Sequence, residues 1–239
     1  MRALGIGGAL ALLLVPATLS AQAPARDEEL TIVKSRRPVS FAAIRNTPGL
    51  IALTFMGYDR DFLAVARRTV ILPDRRVRGL DPPWDKAPDP DSGEIVDYIL
   101  DFYRREGEQF YKIGESGPGY IFMGMMREQG RGADRLVTTW GTGTAEALII
   151  FARRNRQIVK VFSWAGKVTP EFIGLANDGE PYLVVTDGRF FEVAGKRTYP
   201  ETALIYAWEG SRYVLKKKVP WQKRFEAVKD RWPREYPKE

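Results

Sequence analysis

Apolar and polar residues alternate along Ala203–Leu215, ALIYAWEGSRYVL. Leu204, Tyr206 and Trp208 precede a turn signal, Glu209-Gly210-Ser211, and Tyr213 and Leu215 resume the alternation. Period-two patterning around a glycine turn predicts a β-hairpin with one buried face. Glu106-Gly107-Glu108-Gln109-Phe110-Tyr111 repeats the acid-Gly turn and the aromatic that follows it. Residues 94–113 therefore read as a second hairpin, with a helix through Ile95, Ile99 and Phe102 as the alternative.

Other stretches carry the same signature. Leu30-Thr31-Ile32-Val33 predicts a short strand that ends before Pro38. The apolar run Leu50–Met56 predicts a buried strand closed by Gly57. Phe62–Arg68 fits a helical turn or a strand, and β-branched Thr69–Leu72, ending at Pro73, favours strand. Gly79–Gly93, GLDPPWDKAPDPDSG, holds too many prolines for a helix or a central strand and reads as a long loop. Beyond Pro220, Trp221, Phe225, Val228 and Trp232 fall on one helical stripe.

Two segments echo each other. Thr144–Ile150 matches Gly179–Val185 at an offset of 35, and Phe162-Ser163-Trp164-Ala165-Gly166 matches Tyr206-Ala207-Trp208-Glu209-Gly210 at an offset of 44. The difference predicts an insertion within Phe190–Thr202. At Asp178-Gly179-Glu180-Pro181-Tyr182-Leu183-Val184-Val185 and at the aromatic-x-Trp-x-Gly segments, the chain resembles the FG-GAP/VCBS repeat family over residues 136–215. That resemblance implies blades of a secreted β-propeller. The family's aspartate-rich calcium loops are not matched: Trp140–Thr144 has no acid, and Leu175–Gly179 has only Asn177 and Asp178. Calcium needs six or more oxygen ligands, so no metal is expected. Three hairpin units are also too few for an ordinary closed propeller.

The amino terminus changes the picture of where the protein acts. Arg2, an apolar run from Ala3 to Val15, and Ser20-Ala21-Gln22-Ala23 have the layout of a secretory signal peptide. Cleavage is expected after Ala21, with an uncleaved anchor as the alternative. The expected segments are a signal peptide over 1–21, an N-terminal segment over 22–48, a β-repeat domain over 49–217 and a basic amphipathic helix or tail over 218–239. The chain has no cysteine, so its core must hold it without disulfides. The formal charge of +7 sits mainly in the tail, where residues 210–239 carry ten basic and four acidic side chains.

With no histidine and no cysteine, common zinc sites, Cys–His pairs and Ser-His-Asp triads are excluded. Ser116, in Gly-Glu-Ser-Gly-Pro-Gly, therefore reads as a turn residue, and Gly141-Thr142-Gly143 as a hairpin turn and not a dinucleotide loop. Paired carboxylates are the remaining catalytic option, with Asp97 and Asp101 or the loop acids as candidates. The loop has a better claim as a binding feature. Trp84 beside Asp81, Asp85, Asp89 and Asp91 can stack on a sugar or a partner side chain, or it can pack back on the core. Lys216, Lys217, Lys218, Lys223 and Arg224 offer a cationic surface for peripheral contact with an anionic partner, unless the tail docks on the core.

The expected fold is mainly all-β: repeated hairpins forming an incomplete propeller-like or sandwich-like stack of sheets, with a short C-terminal amphipathic helix. The expected role is a secreted or periplasmic non-enzymatic protein binding a protein or a glycan. It is expected to use no cofactor and to bind no nucleic acid. A carboxylate-dependent hydrolase acting on cell-envelope glycans is the alternative.

Overall fold

Alternating apolar residues on both sides of each strand build three antiparallel sheets in chain order. The computed structural model describes residues 30–229, apart from 34, 36, 58, 74–76, 80–92, 129–134, 142–144, 174–179, 188–190, 194, 195 and 199–201. The first sheet contains β1 (Thr31–Ile32), β2 (Val39–Ser40), β3 (Leu50–Met56), β4 (Phe62–Ile71), β5 (Val77–Gly79), β6 (Ile95–Glu106) and β7 (Gln109–Ser116). Its path is β1-β7-β6-β4-β3, with β2 also on β7 and β5 on β4. The second contains β8 (Ile121–Glu128), β9 (Arg135–Gly141), β10 (Glu146–Arg154) and β11 (Gln157–Gly166), paired in that order. The third contains β12 (Glu171–Ile173), β13 (Tyr182–Thr186), β16 (Thr202–Trp208) and β17 (Tyr213–Pro220). Between its inner strands lies a small separate hairpin of β14 (Phe191–Val193) and β15 (Lys196–Thr198).

The repeating unit is a four-stranded meander: β3-β4-β6-β7, then β8-β9-β10-β11, then β12-β13-β16-β17. In chain order, β5 and the β14–β15 hairpin both fall between the second and third strands of their units, which pair directly with each other. The last hairpin of every unit carries a one-residue bulge in its second strand, at Ile113, Val161 and Lys216. A bulge bends its strand and increases the local twist, so its recurrence shapes the three sheets alike. This repeat runs one strand out of step with the sequence echo, which equates β10 with β13 and β11 with β16. The expected insertion in Phe190–Thr202 is the β14–β15 hairpin.

Apolar clusters show how the sheets stack. Met56, Phe62, Leu100 and Phe102 of the first sheet meet Leu136, Trp140, Ile149 and Phe151 of the second. Phe102 and Phe151 have ring centroids 4.9 Å apart. From its other face the second sheet presents Val137, Leu148 and Ile150 to Leu183, Val185, Leu204 and Tyr213 of the third. The inner strands of the second sheet, β9 and β10, are therefore buried on both faces.

Each outer sheet has a small lid. Helix α1 (Phe41–Arg45) starts at Ser40, whose Oγ accepts from the Ala43 amide at 3.2 Å, satisfying a first-turn donor. It lays Phe41 and Ile44 over Leu63, Val65 and Phe110. At the far end a 3-10 turn (Trp221–Lys223) leads into α2 (Arg224–Lys229), which sets Trp221, Ala227 and Val228 against Val184, Ala203 and Ile205.

Several expectations change in detail. The Phe62–Arg68 ambiguity resolves as strand, and residues 94–113 form the expected hairpin. Leu50–Met56 is a sheet edge, with only Met56 fully buried, because β3 pairs with β4 alone. Strand β16 of the ALIYAWEGSRYVL hairpin is covered on both faces, since Tyr206 and Trp208 pack toward the second sheet and Ala203, Ile205 and Ala207 under α2. Leu215 is exposed where the Lys216 bulge breaks the alternation.

Candidate site at the mouth between the first two sheets

The acidic loop residues Asp81, Trp84, Asp85, Asp89 and Asp91 lie outside the described residues. The tail cations do lie within them, and almost all are engaged internally. Lys216 pairs with Glu209, Lys217 donates to the Ala227 carbonyl at 2.8 Å, and Lys218 reaches Asp187 at 3.7 Å. Arg224 forms a two-pronged bond to Glu171 at 2.8 and 3.1 Å and stacks on Trp221 and Phe225. Lys223 is exposed. Lys216–Lys218 belong to β17, so the five cations do not share one helical face. The apolar stripe is broken as well: Val228 is buried, whereas Phe225 is 49% exposed.

Asp97 and Asp101 share a face of β6, but that face does not present two free carboxylates. Asp101 is fully buried, with Arg67 on one oxygen and Lys112 on the other at 2.8 Å. Lys112 also reaches Glu115 at 2.5 Å. Burial disfavours the Lys112 charge, but Asp101 and Glu115 together outweigh it and hold the lysine pKa above its usual value. Burial, followed by the Asp101 charge, raises the Tyr103 pKa. Four residues of strand put about 13 Å between the Asp97 and Asp101 backbones, beyond the spacing used by glycosidase pairs. This cluster stabilises the outer face of the first sheet.

A different region collects accessible and varied chemistry. Two clefts lie between β7 of the first sheet and β11 of the second. The larger, about 300 Å³, has apolar walls of Leu30, Ile32, Val33, Ile113 and Ile158, with Arg104, Tyr111 and Arg156 among its polar lining. Ile32 is 65% exposed. The smaller, about 280 Å³, is lined by Ser116, Tyr120, Ala147, Lys160, Ser163 and Ala165, among others. Gly114 and Ser116 on β7, and Ile158 and Lys160 on β11, carry one cleft into the next.

The mouth is cationic. Residues 147–170 hold Arg153, Arg154, Arg156, Lys160 and Lys167 and no carboxylate. Arg153 is committed to Asp61 at 2.9 Å and lies over the Phe62 ring, and Arg154 donates to the Ser211 carbonyl. Among the described residues, Glu106 is the one carboxylate lining either cleft, and it pairs with Arg104. Neither cleft brings two acids together. Among the described residues, no group of three or more His, Cys, Asp or Glu could hold a metal.

Ser116 ends β7 almost fully buried and lines the smaller cleft, so it is more than the turn residue expected. Sequence reasoning passed over this region because its signal is spread across β1, β7 and β11. The local clue was Arg153-Arg154-Asn155-Arg156, a basic turn between alternating strands, with Asn155 at a φ of 55°. No protein-family model, curated protein or solved structure matches the chain.

Proposed function

We propose that this chain is an exported, non-enzymatic β-repeat protein that binds a protein or glycan ligand at the mouth between the first two sheets. The observation that carries this reading is the pair of clefts between β7 and β11, where apolar, hydroxyl and cationic groups line the walls and the described residues bring no two carboxylates together. Ligand sites combine an apolar wall with a few polar groups that fix orientation, and this groove has both. The signal-peptide layout of residues 1–23 supports export. Among the described residues, no helix is long and apolar enough to cross a membrane.

The test has two parts. Expression with its own leader, followed by mass measurement of the exported product, should show a chain beginning at Gln22. The purified chain, applied to glycan and peptide arrays, should retain ligand without altering it. Retention of the leader in the cytoplasm overturns the export reading, and turnover of any array component overturns the non-enzymatic one.

A further inference from the structure

The three meanders are equivalent, yet their outermost strands are treated differently. In the first sheet, the outer strand β7 is covered by two short segments of the same chain. Thr31 pairs with Glu115, Ile32 with Gly114, Val39 with Phe110 and Ser40 with Gln109. In the third, the outer strand β17 carries Lys216–Lys218 and contacts the end of α2 through Lys217. Lysines on an edge discourage further strand pairing. In the second, β11 pairs with β10 alone among the described residues.

The equivalence of β7 and β11 extends to single residues. Tyr103–Glu106 pairs with Gln109–Lys112 across the Gly107-Glu108 turn, as Phe151–Arg154 pairs with Gln157–Lys160 across Asn155-Arg156. Both turns open on a residue with positive φ, 62° at Gly107 and 55° at Asn155. Both second strands then bulge, at Ile113 and at Val161. Gly114 and Glu115, which accept β1, therefore correspond to Phe162 and Ser163 of β11. Ser163 is exposed and lines the smaller cleft.

We infer that β11 receives an extended acidic peptide, added antiparallel along Phe162–Ser163 as β1 is added to β7. This rests on the binding reading above and names its partner. A strand added at a sheet edge gains main-chain hydrogen bonds, and alternate side chains supply selectivity. Here one set of side chains enters the clefts, where Ile158, Ala147 and Ala165 accept small apolar groups. Carboxylates on the peptide meet the exposed Arg156 at the turn, with Lys160 further along the same strand. Trp164, the tryptophan lining the smaller cleft, is committed elsewhere and offers no open face for stacking a sugar. Trp164 donates from Nε1 to the Thr186 carbonyl at 3.0 Å and packs among the residues between the second and third sheets.

The test uses the full chain and fluorescein-labelled decapeptides that alternate Asp or Glu with Val, Ile or Thr. A matched pool has Lys at every acidic position, and an oligogalacturonate serves as an anionic glycan. Fluorescence polarisation should show binding of the acidic pool that weakens with salt, and no binding of the lysine pool. Reversing both cations, Arg156→Glu with Lys160→Glu, should weaken the acidic pool by about tenfold or more, while thermal melting confirms that the variant is folded. Hydrogen exchange on the unaltered chain should slow across residues 157–166 when the acidic pool is added.

Equal binding of both pools, or protection confined to other strands, overturns the proposal. Protection of β11 by the oligogalacturonate and not by the peptides removes the peptide and leaves the binding reading standing. Loss of all three ligands, with nothing retained on either array, removes both.

Discussion

Arg135 and Glu180 form an ion pair between the second and third sheets, with their side chains only 1% and 3% exposed. The Arg135 guanidinium also lies 4.2 Å from the Trp208 ring centroid and 5.5 Å from that of Tyr213. Removing one member of such a pair strands a charge in a low-dielectric interior, at a cost of about 3–5 kcal/mol. Glu180→Gln should therefore lower the urea midpoint sharply. The double variant Arg135→Met with Glu180→Leu should recover most of the loss, because neither charge remains. A double variant as weak as Glu180→Gln would show that the pair contributes through specific bonding and not through charge balance.

Gly57 closes β3 at a φ of 83°, and a Cβ there would lie 2.6 Å from Asp61 Oδ1 and 2.8 Å from Arg153 Nη1. Those atoms form the ion pair that joins the first sheet to the second. Gly210 has a similar φ of 65° with open space around it. Gly210→Ala should cost about 1 kcal/mol for backbone conformation alone. Gly57→Ala adds loss of the inter-sheet pair and should cost about twice as much or more. Chemical denaturation of both variants checks the order.

The pH dependence follows from Lys112 and Tyr103, whose pKa values both lie above their ordinary ones in the folded protein. A raised pKa means that the folded state holds its proton more tightly than the unfolded chain. The associated stability is complete below the unfolded pKa and is lost as pH rises through the folded one. The protein should thus weaken above about pH 10, where unfolded tyrosine and lysine begin to lose protons. Tyr103→Phe should flatten this decline in denaturant melts run from pH 8 to pH 11.

The carboxy-terminal lid makes a further contrast. Val228 is 3% exposed on the inner side of α2, whereas Phe225 of the same helix is 49% exposed. Val228→Asp should destabilise by about 2 kcal/mol or more, because it buries a charge without a partner. Phe225→Ser should change stability by less than about 0.5 kcal/mol. Differential scanning calorimetry of the two variants separates a docked lid from a free tail.

Hairpins and the carboxy-terminal helix were readable in the chain where the cause was local, whereas α1 (Phe41–Arg45) was not anticipated. The Glu106-Gly107 turn, the β-branched run before Pro73 and the Trp221–Val228 stripe each announced an element that is present. The true repeat was hidden because it is defined by the order of pairing and by bulges at Ile113, Val161 and Lys216, none of which has a residue signature. The Phe-x-Trp-x-Gly echo misled for a physical reason. Gly166 lies under the Trp164 ring, which leaves no room for a Cβ, whereas Gly210 supplies a positive φ in open space. The same letter answers two different needs.

The mouth was illegible because it joins residues from Leu30 to Ala165. Asp101 was equally hard to place. Its alternation with Leu100 and Phe102 was plain, but the cations that bury it come from β4 and β7. Long-range ion pairs of this kind leave no periodic trace in a sequence.

Because β9 and β10 are apolar toward both neighbours, the central sheet has no water-compatible side of its own. A chain stopped before Glu171 would leave Val137, Leu148 and Ile150 facing solvent beside an unpaired edge. An incomplete or nicked molecule should therefore precipitate or be degraded, and not persist as a smaller stable fragment. The last third of the chain thus shields the apolar face of the middle third, and the exposed face of a truncated chain would make it prone to aggregation.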